Sequence, residues 1–406
     1  RRPMPKLLIL DNATVITPHR QIRAGCVAMR GDTIEYVGRV SDLCADIKEG
    51  TESEFRDVDG AYVIPGLIDT HLHGGGGADC MDGGTECIRI AAAAHAAGGI
   101  TAFLPTTVSC SGRQILEFIE SVRTVMGDRE PSGASVIGAH LEGPYLDLSM
   151  AGAHDRSQVR SPNPDEYQEW LEHSDVVRRM TVAPELPGAL ILGRELSRRG
   201  IIASMGHTRA EFADVEAALD HGYSCVTHYL CSISQSTRLP DRKIAGLAEA
   251  ALAYDDITIE LIADNMHLPP GVPMMVYKCK GPDRTMLTTD SIRAAGMPDG
   301  EYVLGDAATG LRILVDQGVA WIPDRTSFAG SVSLGCNLIR NVVEASRVPL
   351  HDAVRMMTLT PAKMLGIQGR KGVLAPGADA DIVVLNRDYS VRTTLVGGRV
   401  VYSQDE

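Results

Sequence analysis

Residues 62–73 read YVIPGLIDTHLH, and this stretch decides the fold. Its apolar run passes through Asp69 and closes on His71 and His73, ahead of four glycines, Gly74 to Gly77. A short apolar run ending in chemically capable side chains is what a buried parallel strand delivers at the carboxyl end of a barrel. The four glycines lack the spacing of a phosphate-binding loop, which an open nucleotide-binding sheet would carry after its first strand.

Seven further runs share this form: GITAFLPTT (99–107), ASVIGAHLEGP (134–144), RRMTVAPE (178–185), GIIASMGHT (200–208), YSCVTHYL (223–230), ITIELIADNMH (257–267) and RTMLTTD (284–290). Helical stretches lie between most of them, among them Ile88–Ala97 and Arg209–His221. Eight βα units predict an α/β fold, a (β/α)8 TIM-type barrel. The flanking segments are different. KLLILDNATVITPHR (6–20), GCVAMRGDTIEYVG (25–38), GVLAPGADADIVVLNRD (372–388) and TTLVGGRVVYS (393–403) are β-rich and punctuated by turn residues. They predict a small β-sandwich domain built from both termini, residues 1–66 and 370–406, around a catalytic barrel of residues 67–369.

A length of 406 residues has room for one barrel and an appendage. With 44% hydrophobic and 22% charged residues, the composition is that of a folded globular chain and not of a disordered one. The formal charge of −13 argues against nucleic acid or an anionic membrane as partner, and leaves open a small anionic substrate met by local arginines and a metal. No run approaches the roughly 18 apolar residues of a membrane span. The stretch RRPMPKLLILDNATV has no export signal, and the nine cysteines form no CxxC pair, so reduced thiols and a cytoplasmic location are expected.

Polar residues terminate the runs one after another. His71 and His73 end the first, Glu142 the third, His207 the fifth, His228 the sixth, His267 the seventh and Asp290 the eighth. His71 and His73 are two apart, so on a strand both face one side and can bind one cation. Taken singly, HLH reads as well as a surface pair, and Glu142 as half of a structural ion pair. Together, imidazoles and a carboxylate are the ligand set of zinc and similar divalent ions, and a shared metal satisfies His207 and His228 at once. Asp290 is the natural general acid and base, and His267 is placed to polarise a carbonyl. Cys231 as a nucleophile carries little weight, because that chemistry needs a lowered thiol pKa.

PGLIDTHLHGGGG (65–77), HLEGPYL (140–146), AGAHD (151–155), GHT (206–208), DNMHLPP (264–270), TTDSIRAAG (288–296), FAGS (328–331) and TPAKMLG (360–366) resemble the amidohydrolase superfamily. Within it, they are similar to the N-acetylglucosamine-6-phosphate deacetylase family. The likeness covers nearly the whole chain, and HLEGP followed by AGAH is its most specific part.

The resemblance implies metal-dependent hydrolysis of the acetamide of N-acetylglucosamine-6-phosphate, giving glucosamine-6-phosphate and acetate. It implies one ion on Glu142, His207 and His228, and a second on His71 and His73, with Glu142 bridging and Asp290 closing the site. Zinc is the expected metal, as one or two ions. Asp290 would then move the proton, with His267 and the metal stabilising the oxyanion. By the same resemblance, Ala153, His154, Cys231, Ser232 and His267 line the substrate site. Arg238 or Arg242 would meet phosphate, in a homodimer where such an arginine reaches the neighbour's site. The chain departs from the family at Cys231 and Ser232, where an asparagine and a small residue are usual, which removes an amide donor. Two rivals remain: another substrate, such as N-acetylgalactosamine-6-phosphate or a cyclic amide, and a non-catalytic barrel. The absence of lysine from AHLEGP disfavours hydrolases built on a carboxylated lysine, and the complete ligand set disfavours the inert barrel.

Overall fold

A computed structural model describes residues 6–43 and 52–405. The chain opens on three antiparallel strands, β1 (Leu7–Ile16), β2 (Gln21–Arg30) and β3 (Thr33–Arg39). The turn between β1 and β2 is closed by the Thr17 hydroxyl, which accepts the N–H groups of His19 and Arg20 at 3.3 and 3.0 Å. β4 (Ser53–Asp57) and β5 (Tyr62–Pro65) then pair with β1 in parallel.

The run at residues 62–73 is two strands where the sequence pattern predicts one. β5 belongs to the terminal sheet, and β6 (Leu67–Leu72), buried along its length, begins the barrel. Gly66 lies between them because a Cβ there would sit 2.0 Å from Thr101 Oγ1. Hydropathy cannot register such a change of sheet, since both strands are apolar.

The barrel continues with β7 (Ile100–Pro105), β8 (Ala139–Glu142), β9 (Val177–Val182), β10 (Ile202–Met205), β11 (Tyr223–Val226), β12 (Thr258–Leu261) and β13 (Thr285–Leu287). β6 pairs with β7, and β8 through β13 pair in order, all in parallel. Thr107 N–H donates to His140 O at 3.1 Å, which joins β7 to β8. Asp290 N–H donates to His71 O at 2.9 Å and His73 N–H to Ser291 O at 2.7 Å, which joins the last strand to the first. Asp69 reinforces that seam by accepting the hydroxyls of Thr288 and Thr289, each at 2.6 Å. The eight expected strands therefore form a closed TIM-type barrel.

The outer helices bury one stripe each. In α1 (Glu86–Ala96) the buried residues are Cys87, Ile88, Ala91, Ala92, His95 and Ala96, at helical spacing. α2 (Gly112–Met126) buries Ile115, Phe118, Ile119, Val122 and Val125, and begins with a capping box between Ser111 and Gln114. Between β13 and the last helices stands an insert absent from the sequence reading: β14 (Gly300–Leu304), β15 (Leu311–Asp316) and β16 (Val319–Trp321), all antiparallel. It has its own small core, including Leu304, Ile313, Val315 and Ala320.

The chain then returns to the terminal sheet through β17 (Ile382–Leu385), β18 (Val391–Val396) and β19 (Arg399–Ser403). β17 pairs with β5, giving one hydrogen-bonded sheet in the order β19-β18-β17-β5-β1-β2-β3, with β4 also on β1. Ile64, Val383 and Leu385 of this sheet join the main core, so one of its surfaces rests on the barrel. Among the described residues no helix is long and apolar enough to cross a membrane. Among the described residues Cys80, Cys87, Cys110, Cys225, Cys231, Cys279 and Cys336 are free thiols, five of them buried; Cys44 lies outside the described residues.

Candidate active site

The ligand candidates converge at the carboxyl ends of the barrel strands through bent backbone. His207, His228 and Asp290 each follow a strand and have positive φ, at 47°, 29° and 48°. That conformation is unfavourable for a residue with a Cβ, and here it carries side chains from separate strands toward one centre. Glu142 is that centre. Its Oε2 lies 3.3 Å from the Nε2 atoms of both His71 and His73, while Oε1 lies 3.0 Å from His228 Nε2 and 3.3 Å from His207 Nε2. Asp290 Oδ1 is 3.1 Å from His73 Nε2 and 3.3 Å from His71 Nε2.

The arrangement fits a cation. His71 Nε2 faces His73 Nε2 at 3.3 Å, and His207 Nε2 faces His228 Nε2 at 3.1 Å, so ring nitrogens able to ligate an ion stand opposed in pairs. Asp290 Oδ1 is buried without a hydrogen bond, which is costly for a carboxylate oxygen unless something positive meets it. Two tight groups could each hold an ion: His71, His73 and Asp290; and Glu142, His154 and His207. His228 stands against Glu142 at 3.0 Å beside the second group.

Charge in the metal-free protein follows the same geometry. Burial opposes protonation of His71, but Glu142, Asp290 and Glu260 overcome it and hold the imidazole well above its ordinary value. For His73, burial is likewise outweighed by Asp290 and Glu142, and its pKa rises to about 9. Burial, then the neighbouring His154, lowers His207 to about 4. Burial would raise the Glu142 carboxyl, yet His71 and the other imidazoles keep it well below the usual range.

Tautomers are set by the second nitrogen of each ring. His207 Nδ1 faces Met150 O at 2.7 Å and His228 Nδ1 faces Cys231 O at 3.1 Å, so both donate from Nδ1 and leave Nε2 bare for a ligand. His71 Nδ1 faces Glu260 Oε1 at 2.9 Å. His154 is opposite: Ser109 N–H donates to its Nδ1 at 2.9 Å, which puts the proton on Nε2, 3.5 Å from Glu142 Oε2. His267 Nδ1 faces Asp264 Oδ2 at 2.7 Å.

A cavity of about 300 Å³ opens on this cluster. His73, Glu142, Ala153, His154, His207, His228, Cys231, Ser232, His267 and Asp290 line it, together with Trp321 and Phe328 of the unforeseen insert and its following loop. Phe328 packs at a tilt between His267 and Trp321, with ring centroids 4.6 Å from each. Burial, with Asp290 and Asp264 adding to it, pushes the Cys231 thiol up to about 12, so it carries no nucleophile at neutral pH. Arg238 and Arg242 are not in the lining. They are exposed on a short antiparallel pair, Thr237–Arg238 with Lys243–Ile244, and Arg242 meets Asp241 at 3.1 Å. Neither Arg238 nor Arg242 therefore lines the cavity of its own chain.

Sequence reasoning overlooked the layer below the ligands. Arg179, Glu260 and His140 are fully buried on barrel strands, and each is a charged or titratable residue inside an apolar run. In RRMTV, TIELI and AHLE those residues were the available signal.

The model of the amidohydrolase family matches residues 62–401. The chain belongs to the amidohydrolase family. This amidohydrolase is 31% identical to N-acetylglucosamine-6-phosphate deacetylase of Bacillus subtilis across 99% of both chains. It is 33% identical to N-acetylgalactosamine-6-phosphate deacetylase of Escherichia coli O157:H7, over 84% of this chain and 88% of that one. It also superposes on N-acetyl-D-glucosamine-6-phosphate deacetylase from Mycobacterium smegmatis, a mutant solved with N-acetyl-D-glucosamine-6-phosphate. There the TM-score is 0.86 and the identity 32%, covering 98% of this chain and 99% of the other.

Proposed function

We propose that this amidohydrolase is a metal-dependent deacetylase, hydrolysing the acetamide of N-acetylglucosamine-6-phosphate to glucosamine-6-phosphate and acetate. The observation that carries the reading is the convergence of four imidazoles and two carboxylates beside a cavity, in a chain 31% identical over 99% of its length to a protein named as a deacetylase of that specificity. Glu142, His207 and His228 would hold one divalent ion, and His71, His73 and Asp290, with Glu142 between, a second; zinc suits this donor set. A bound divalent ion supplies Lewis acidity, which activates water and polarises a carbonyl.

Asp290 takes the proton of the attacking water and hands it to the departing amine. Beside it, His154 presents an Nε2–H donor, which suits the oxyanion that develops on the acetamide oxygen. That part was expected of His267. With Nδ1 turned to Asp264, His267 has Nε2 left for the substrate, which suits a sugar hydroxyl better. Ala153, Cys231 and Ser232 line the sugar pocket in this reading. Trp321 and Phe328 close it from the insert and limit access of bulk water.

Phosphate recognition completes across a homodimer, with Arg238 or Arg242 of one copy reaching the other's cavity; their exposed hairpin supports this. We read the terminal sheet as a small β-sandwich domain, residues 1–66 and 370–406, beside a catalytic barrel of residues 67–369. Its separate core of Leu10, Val27, Ile34, Val63 and Ile382 supports that division. Free thiols support a cytoplasmic location.

The galactosamine epimer is the second reading, favoured by the likeness to the Escherichia coli enzyme. Acetate release from N-acetylglucosamine-6-phosphate, N-acetylgalactosamine-6-phosphate and unphosphorylated N-acetylglucosamine, with and without chelator, tests both. Fastest release from the first, abolished by chelator, is expected. No metal-dependent release from any of the three would refute a deacetylase.

A further inference from the structure

Beneath the ligand cluster lies a closed polar layer that the chemistry above does not use. Glu260, on β12, and Arg179, on β9, are both 0% exposed and form an ion pair through Glu260 Oε2. Arg179 Nη2 donates to Ser204 Oγ at 3.1 Å and to Thr227 Oγ1 at 3.0 Å, which ties the pair to β10 and to the residue after β11. Glu260 Oε1 faces upward. It accepts from His71 Nδ1 at 2.9 Å and from the backbone N–H of His228 at 3.1 Å.

We propose that Glu260, held in place by Arg179, is a positioning residue that sets the metal affinity of the His71/His73 position through the His71 ring. The inference rests on the metal-site reading above. Three Nδ1 atoms of the four ligand imidazoles have an acceptor, and only that of His71 meets a carboxylate; those of His207 and His228 meet carbonyls. A carboxylate acceptor keeps the proton on Nδ1, fixes the ring, and makes Nε2 the more basic ligand. Arg179 supplies the charge that lets an ionised carboxylate stand in a dry barrel floor. Glu260 also touches the His228 position, but at the backbone alone. The His228 ring keeps its own acceptor, Cys231 O, so loss of Glu260 acts chiefly at His71.

The test is equilibrium binding of zinc to the full chain, by competition with a chromophoric chelator, and of cobalt(II) followed by its absorption. Apo thermal unfolding is measured alongside. Wild type should bind two ions. Glu260→Gln should weaken the ion at His71/His73 by about 10- to 100-fold, the usual effect of removing such a partner, and leave the other ion within about threefold. Because Glu260→Gln strands Arg179 without a counter-charge and can impair folding, Glu260→Asp is measured too. It retains the charge but withdraws it from His71, so the same selective weakening should appear with an apo unfolding midpoint close to wild type. Unchanged affinity at both positions, or equal weakening of both, overturns the inference. So does a single ion in wild type whose affinity His71→Ala does not alter, which would leave the deacetylase reading intact. Two-ion binding with the expected selectivity but no acetate release would instead sink the deacetylase reading alone.

Discussion

At the scale of single residues, backbone geometry and ring tautomers divide the work of the site. Asp290 lies within 3.3 Å of both His71 and His73 and yet has an oxygen free of hydrogen bonds, which is the position for a proton carrier. Asp290→Asn keeps the shape and an oxygen ligand, so metal content should stay near wild type while kcat falls about 100- to 10,000-fold. Metal analysis paired with acetate-release kinetics checks this, and near-normal turnover would exclude the role. His154 and His267 should separate in the same assay. His154→Ala removes a donor needed only as negative charge develops and should lower kcat by about 100- to 1,000-fold with a smaller change in KM. His267→Ala should act mainly through KM.

At the scale of elements, the site depends on where strands end and on how the last segment is tied down. Lys371 precedes β17, and its Nζ lies 2.5 Å from Asp381 and 3.1 Å from Asp379. Asp381 in turn accepts the N–H of Gly397 at 2.9 Å and, through its carbonyl, that of Gly66 at 2.8 Å. One lysine thus secures the point where the terminal sheet meets the barrel. Burial would lower its pKa, but Asp381 and Asp379 outweigh burial and raise it. A raised lysine stabilises the fold fully below the unfolded value of about 10.4 and loses that contribution as pH climbs through the folded value. Lys371→Met should therefore destabilise the protein by about 1–3 kcal/mol at neutral pH, by leaving the buried Asp381 carboxylate without its lysine, whereas Asp379 keeps Arg370. The gap between mutant and wild type should narrow above pH ~10.4. Urea unfolding from pH 7 to 11 measures it; a gap that is constant or widens with pH would exclude the linkage.

At the scale of the whole molecule, six candidate ligand groups, at or just beyond strand ends and brought from residues 71 to 290, crowd one buried point. The protonated and bare imidazoles of the metal-free protein are a poor substitute for a cation, so metal binding and folding are linked. Chelation should abolish turnover and lower the thermal midpoint, and added zinc should restore both. At free metal ~1,000 times the dissociation constant, the stabilisation would be about 4 kcal/mol. Calorimetry of apo and zinc-loaded protein checks this, and coincident midpoints would show that the cluster binds no metal strongly.

By itself the sequence determined the barrel, its eight strands and the polar residues that end them. Strand burial is written as apolar runs, and a barrel's chemistry sits where those runs stop. It also determined His71, His73, Glu142, His207, His228 and Asp290 as candidates, because such residues are conspicuous at the end of an apolar run. Only the tertiary structure decided the rest. Two strands share the run at residues 62–73 because Gly66 must pass Thr101, and hydropathy is blind to a contact between residues 35 apart. The insert that supplies Trp321, and Phe328 after it, has the same alternating pattern on any surface it covers. Ring orientation depends on what meets Nδ1, the Ser109 N–H at His154 and the Asp264 carboxylate at His267. Those partners come together only when the barrel closes, and so does the pairing of Arg179 with Glu260 beneath His71.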